Sequence, residues 1–137
     1  MTVYLLDTNV VSESFKRRPD DNVMRWMAQG FDCRLSVLTI GELRRGAARL
    51  RAREPARAAE IETWIDGVEE RFAHDLLPID RTVVHAWATL PATRTLPPID
   101  SLIAATAAAH GLTVVTRNVR DFSDSDVDVV DPFEFTG

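Results

Sequence analysis

The chain has 137 residues, of which 45% are hydrophobic and 27% charged, and its formal net charge of −5 is the wrong sign for a general nucleic-acid binder. This composition excludes a disordered chain and predicts one folded domain over residues 1–137. No apolar run approaches the length of a membrane span, and no secretory signal is visible. The single cysteine, Cys33, excludes an internal disulfide or a thiolate metal cluster and is typical of a reducing cytoplasm.

The first apolar run of the chain ends on a carboxylate. Residues 3–6 have the length of a central parallel strand, and Asp7 follows them directly. Thr8 or Asn9 can cap the next helix, which we expect to extend to about Lys16. Ligands bind at the carboxyl ends of the strands in an open α/β sheet, so Asp7 is a candidate for chemistry. The alternative is that Asp7 only helps to cap the helix.

Helices and strands alternate through the rest of the first half. In chain order we expect a helix from Asp20 or Asp21 to Gly30, a strand over 33–37, a helix that starts with the capping box Thr39–Glu42, and a helix that begins near Pro55. Apolar residues recur at helical spacing along the last of these, up to Phe72. The last two helices together predict an αα-hairpin.

The second half continues the alternation. We expect a strand over 74–79, a helix capped by Asp80, an alanine-rich helix from Asp100 to Gly111, a strand over 113–116, a loop or single turn over 117–122, and a last strand over 127–130. Strands that alternate with helices predict an α/β fold with a central parallel, doubly wound β-sheet flanked by helices.

Four acids fall at related places in this layout. Asp7 follows the first strand, Glu42 lies in the first turn after the second, Asp100 starts the alanine-rich helix, and Asp121 lies just past the fourth strand. In a parallel sheet the strand-to-helix junctions share one edge, so we expect these carboxylates to lie near one another. Each acid also has a purely structural interpretation, as a helix cap or a turn former.

A cluster of carboxylates needs a counter-charge. Two carboxylates about 4 Å apart repel each other by roughly 4 kcal/mol at an effective dielectric constant near 20. An all-oxygen site without cysteine or paired histidine favours Mg²⁺ or Mn²⁺ over Zn²⁺. The reaction that fits such a site is phosphodiester hydrolysis by a metal-activated water.

Other polar side chains are expected at the same edge of the sheet. They can support the acids or orient water and phosphate, although capping and turn formation explain them equally well. These supporting candidates are Thr8, Asn9, Ser36, Thr116 and Asn118.

Several ordered sequence blocks resemble the PIN-domain family, and most closely its VapC and FitB type of bacterial toxin. The blocks are Leu-Leu-Asp-Thr-Asn-Val-Val-Ser-Glu at 5–13, Thr-Ile-Gly-Glu-Leu at 39–43 with Gly46, Leu-Pro-Ile-Asp at 77–80, Asp-Ser-Leu-Ile-Ala-Ala-Thr-Ala at 100–107, and His-Gly-Leu-Thr-Val-Val-Thr-Arg-Asn-Val-Arg-Asp-Phe at 110–122. This resemblance covers nearly the whole chain and implies a single PIN domain with the three-layer PIN fold.

The resemblance also implies a function. Members of the family are Mg²⁺- or Mn²⁺-dependent ribonucleases, and the four acids Asp7, Glu42, Asp100 and Asp121 match their metal-binding positions. VapC-type toxins usually form homodimers and are inhibited by a small antitoxin, which often supplies the DNA-binding domain. DNA would then be bound only through the antitoxin. RNA would need a local basic rim, for which Arg44, Arg45, Arg117 and Arg120 are candidates.

Two other classes of function remain open at this point. The first is a non-catalytic interaction module whose acids are helix caps. The second is a phosphoryl-transfer enzyme with Asp7 as its nucleophile, although Asn9 stands where a haloacid-dehalogenase-like pattern has a second aspartate. No Gly-rich phosphate loop is present, so a nucleotide kinase is not expected.

Overall fold

The computed structural model describes residues 1–91 and 96–137, and its centre is a five-stranded, all-parallel sheet. The strand order is β3-β2-β1-β4-β5, so the first strand of the chain is the central one. The strands are β1 (Tyr4–Leu6), β2 (Cys33–Ser36), β3 (Leu76–Leu77), β4 (Thr113–Val115) and β5 (Val129–Val130).

Seven α-helices occupy the described ranges. They are α1 (Thr8–Glu13), α2 (Asp21–Met27), α3 (Val37–Arg51), α4 (Pro55–Arg71), α5 (Arg81–Thr89), α6 (Pro98–His110) and α7 (Val119–Phe122). Helices α3 and α4 pack against each other as the expected αα-hairpin, and α5 packs against α6. Within residues 1–91 and 96–137, no helix is both long and apolar enough to cross a membrane.

The hydrophobic core has two parts, one on each face of the sheet. Leu5 and Leu6 are both fully buried, and because successive strand residues point to opposite faces they belong to different parts. Leu6 packs with residues of α1 to α4, including Trp26, whereas Leu5 packs with Ile103 of α6 and with Phe122. The predicted fold, a central parallel sheet with helices on both faces, is therefore confirmed.

Two predicted helix starts were wrong, and both corrections concern acids. Asp7 itself caps α1, in place of Thr8 or Asn9, because its side chain accepts a hydrogen bond from the backbone N–H of Thr8. The cap of α3 is Ser36 and not Thr39, since the chain turns into the helix directly after β2. Glu42 is therefore not part of a capping box and lies almost two turns into the helix.

Two further boundaries differ from the prediction. Helix α1 ends at Glu13, three residues before the expected Lys16, where the buried Glu13 carboxylate accepts a hydrogen bond from the backbone N–H of Asp20. Helix α6 begins at Pro98, whose missing N–H suits a first-turn position. Asp100 consequently lies inside the first turn and makes no capping bond.

Of the remaining predicted elements, some were confirmed and some have other bounds. Asp20 and Asp80 cap α2 and α5, and Gly111 ends α6 with a left-handed φ of 65°, as predicted. The third strand is only two residues long, not six, and the expected loop over 117–122 contains the single turn α7.

Candidate metal centre at the carboxyl edge of the sheet

Asp7 is the most enclosed acid of the candidate site, with only 3% of its surface exposed at the end of the central strand. One carboxylate oxygen, Oδ1, accepts the backbone N–H of Thr8 at 2.9 Å. The other, Oδ2, accepts the Thr116 hydroxyl at 2.8 Å and the Asn9 amide at 3.2 Å. Capping thus uses one oxygen, while side chains from two different segments orient the other.

Thr116 connects the two central strands at this edge. Its hydroxyl donates to Asp7, and the same oxygen accepts the Asn9 amide at 3.3 Å and the backbone N–H of Asn118 at 3.0 Å. The side-chain oxygen Oδ1 of Asn9 in turn accepts the backbone N–H of Arg117 at 3.2 Å. This network fixes the loop after β4 against the start of α1.

Glu42 is joined to the same network through Thr8. The Thr8 hydroxyl donates a hydrogen bond of 2.5 Å to Oε1 of Glu42, although the two residues are separated by 34 positions in sequence. Glu42 itself is exposed, on the turn of α3 that faces the start of α1. A hydrogen bond to one oxygen leaves the other carboxylate oxygen of Glu42 available to a ligand.

The pKa of Asp100 connects all four acids. Burial, followed by the negative charges of Asp7, Glu42 and Asp121, raises the pKa of the Asp100 carboxyl from 3.8 to about 6. The charges of the other three acids therefore all act on Asp100. Since Glu42 and Asp100 cap no helix, the structural interpretation of these two acids as caps was wrong.

The donor chemistry of this cluster fits a hard divalent cation. Among residues 1–91 and 96–137, no group of three His, Cys, Asp or Glu side chains is placed to hold a metal ion directly. Mg²⁺ does not require such a group, because it commonly keeps several waters and binds one or two carboxylates. A cation at this position would also offset the repulsion that raises the pKa of Asp100.

The two remaining supporting candidates have different surroundings. Ser36 is fully buried, and its hydroxyl accepts the backbone N–H of Leu38 at 3.1 Å, so its oxygen serves the α3 cap. Asn118 is exposed and is the residue before α7, whose first turn contains Asp121. The structure thus brings Asn118 to the acidic edge and gives Ser36 a structural contact.

The predicted basic rim is only partly available to a ligand. Arg44 faces α4 and pairs with Asp66 at 2.7 Å and Glu69 at 2.8 Å, so its charge is partly offset within the chain. The guanidinium of Arg117 lies 4.4 Å from the centre of the Phe133 ring. Arg49 was not among the rim candidates, but it follows Arg45 by one turn on the exposed side of α3.

Comparison with known proteins agrees with this arrangement. The PIN domain family matches residues 4–127 of the chain. The chain is 36% identical to the VapC ribonuclease Y4jK of Sinorhizobium fredii over 95% of its length and 97% of that protein. It is 34% identical to the toxin FitB of Neisseria gonorrhoeae, over 94% of its length and 97% of that protein.

A solved structure shows the same fold. FitAB bound to an IR36 DNA fragment aligns with a TM-score of 0.76 and 29% identity, covering 98% of both chains. The sequence identity, the family match and the shared fold extend over the segments that contain all four acids. The chain belongs to the PIN domain family, as a member of the VapC/FitB type.

Proposed function

We propose that this chain is a Mg²⁺- or Mn²⁺-dependent endoribonuclease, the toxin of a type II toxin–antitoxin system, built as a single PIN domain over residues 1–137. The observation that carries the proposal is the hydrogen-bond network at the carboxyl edge of the sheet, in which Thr116 and Asn9 orient Asp7 and Thr8 holds Glu42. Its VapC relative is named a ribonuclease, and its FitB relative is named a toxin.

In this proposal Asp7 and Asp100 hold the cation, and Glu42 and Asp121 complete the acidic site. The bound cation would orient and acidify the attacking water and stabilise charge on the phosphoryl oxygens. Thr116 and Asn9 keep Oδ2 of Asp7 pointing toward the edge of the sheet, and Thr8 holds Glu42 beside it. Asn118 can orient water or phosphate from the loop after β4.

The structure gives less support to a mechanism in which Cys33 or Asp7 is a nucleophile. Burial, followed by the charge of Asp32, raises the pKa of the Cys33 thiol to about 11, so this thiol is not ionised at neutral pH. Asp7 has both of its oxygens committed to hydrogen bonds from Thr8, Thr116 and Asn9, which suits a fixed ligand better than a nucleophile.

The proposed partners are RNA, a VapB/FitA-like antitoxin and a second copy of the chain. Helix α5 exposes Val84 and Trp87, at 44% and 47% of their surface, which supports a protein contact on that side. DNA would be reached only through the antitoxin, and the FitAB assembly named above is bound to a DNA fragment. We place the activity in the cytoplasm, where its RNA substrate is found.

The test is cleavage of a random-sequence RNA transcript pool with and without Mn²⁺. Wild-type protein should cleave the RNA, and chelation of the metal should stop cleavage. Asp7→Asn should lower the cleavage rate by about 100-fold or more. Loss of a residue that only supports a metal ligand typically costs about 10–100-fold. Asp20→Asn is the matched control, since Asp20 also caps a helix but lies outside the site. Cleavage that survives Asp7→Asn would instead favour the non-catalytic interaction module, with any nuclease activity coming from elsewhere.

A further inference from the structure

An open groove lies directly beside Glu42, on the outer face of α3. Its volume is about 520 Å³, and Val37, Leu38 and Ile99 form its apolar part. Glu42 stands in its wall, so the groove borders one of the four acids of the candidate metal centre. Arg45 and Arg49 also line the groove, one and two turns farther along the helix.

The arginines of this region divide into two groups. Those that face α4 are neutralised there: Arg44 pairs with Asp66 and Glu69, and Arg51 pairs with Glu62. In the part of the chain that the structure describes, neither Arg45 nor Arg49 has an acidic partner, and both are exposed. Two uncompensated cations thus lie in a groove that leads to an acidic site.

The spacing of these two cations suits a nucleic-acid backbone. Residues four apart on a helix lie on the same face and are separated by about 6 Å along its axis. That distance is comparable to the separation of neighbouring phosphates along one strand. Each guanidinium can donate two parallel hydrogen bonds to phosphate oxygens.

The glycines of α3 keep the groove open. Gly41 and Gly46 lie inside the helix, and a Cβ at either position would meet no atom within 4 Å. Internal packing therefore does not require glycine at these positions, although glycine weakens a helix interior. Both line the groove, where the absence of a side chain lets a ligand backbone approach the helix.

We propose that Arg45 and Arg49 bind two successive phosphates of single-stranded RNA in this groove, next to the phosphodiester bond that is cleaved. The proposal rests on the function proposed above and assigns the groove as the binding site of the RNA strand. The acids of the candidate site repel RNA, and the two arginines supply the local attraction that a chain of net charge −5 otherwise lacks.

The test measures binding separately from cleavage. Binding of a fluorescein-labelled single-stranded RNA of mixed sequence is followed by anisotropy in an Asp7→Asn background, with Arg45→Ala, Arg49→Ala and the control Arg53→Ala added singly. Arg53 is exposed and lies outside the groove. Each groove substitution should weaken binding about fivefold at about 0.1 M salt and reduce the slope of log K against log salt by about 0.7. Arg53→Ala should change neither quantity.

Cleavage kinetics with Asp7 intact test the groove assignment separately from the proposed endoribonuclease activity. The groove substitutions should raise KM about fivefold and change kcat by less than about twofold. Arg45→Lys should restore only part of the loss, because it keeps the charge but not the two parallel hydrogen bonds of the guanidinium. If the wild type fails to cleave RNA, the proposed function fails whatever the arginines do. If the wild type cleaves RNA and both arginine variants bind and cleave normally, only the groove assignment is overturned.

Two further outcomes would also overturn it. Unchanged RNA binding together with a shift of oligomeric state on size-exclusion chromatography would assign the groove to a second copy of the chain. Equal weakening by Arg53→Ala would show that the effect comes from net charge and not from the groove.

Discussion

The hydroxyl of Thr116 donates a 2.8 Å hydrogen bond to Oδ2 of Asp7, across the two central strands and 109 residues of sequence. Both side chains are almost completely buried. Because buried polar groups are costly to leave unpaired, this bond fixes the rotamer of Asp7 as well as the position of the loop after β4. The orientation of the central acid therefore depends on a residue that would not itself bind the metal.

Thr116→Val should separate this positioning role from simple packing. Valine keeps the shape but removes the donor to Asp7 and the acceptor for Asn9 and Asn118, so we expect about 1–3 kcal/mol of lost stability. Metal affinity or kcat should fall about 10–100-fold. Thermal unfolding and Mn²⁺-dependent cleavage measure the two effects. Thr116→Ser should retain both properties, and equal activity of the valine and serine variants would contradict the positioning role.

Metal binding can be tested without any RNA. We expect isothermal titration of the wild type with Mn²⁺ to give weak but saturable heat, and Asp7→Ala combined with Asp100→Ala to abolish it. The control is Asp80→Ala, which removes a cap of similar geometry at the start of α5. Heat that persists in the double variant would place the cation elsewhere.

The raised pKa of Asp100 predicts how stability depends on pH. Its folded-state pKa of about 6 exceeds the ordinary value of 3.8, so the folded state binds this proton more tightly than the unfolded state. Stability is therefore favoured below about pH 4 and falls as the pH rises toward 6. Asp100 is only partly buried, and after allowance for solvent screening the penalty is about 1 kcal/mol.

Asp100→Asn checks this dependence directly. In the absence of divalent cations, the variant should melt about 3 °C above the wild type at pH 7, and the difference should vanish below pH 4. Added Mg²⁺ should reduce this difference in melting temperature, because it stabilises the wild type. A variant that is less stable than the wild type at pH 7 would show that the Asp100 carboxylate stabilises the fold.

Arg44→Ala tests the division of the arginines on α3. Its two ion pairs with α4 are partly exposed, so we expect a loss of about 0.5–1 kcal/mol that shrinks in high salt. RNA cleavage should be unchanged. Chemical denaturation at two salt concentrations, beside a cleavage assay, measures both effects. A fall in RNA binding as large as that of Arg45→Ala would show that Arg44 also contacts the substrate.

The sequence allowed the architecture to be predicted because hydrophobic periodicity is a local property. The run before Asp7, the alanine-rich α6 and the cap at Asp80 all follow from nearby residues. From that order of elements, the parallel sheet and the edge at which the four acids lie follow as well.

The details that failed depend on tertiary contacts that the sequence does not show. Nothing local shows that the carboxylate of Glu13 ends α1 by binding the backbone of Asp20, or that Thr8 binds Glu42. Helix starts failed for a related reason, because Ser36 and Thr39 are both good caps and only the end of β2 decides between them. The pairing of Arg44 with α4 likewise depends on how the hairpin closes.

The position of β1 at the centre of the sheet has a consequence for synthesis. This strand emerges from the ribosome before its neighbour β4 and the hydroxyl of Thr116, which follow more than 100 residues later. A nascent chain that has not reached residue 116 lacks one of the two neighbours of its central strand and the group that orients Asp7. The acidic site therefore assembles only late in translation, so an interrupted polypeptide would lack nuclease activity.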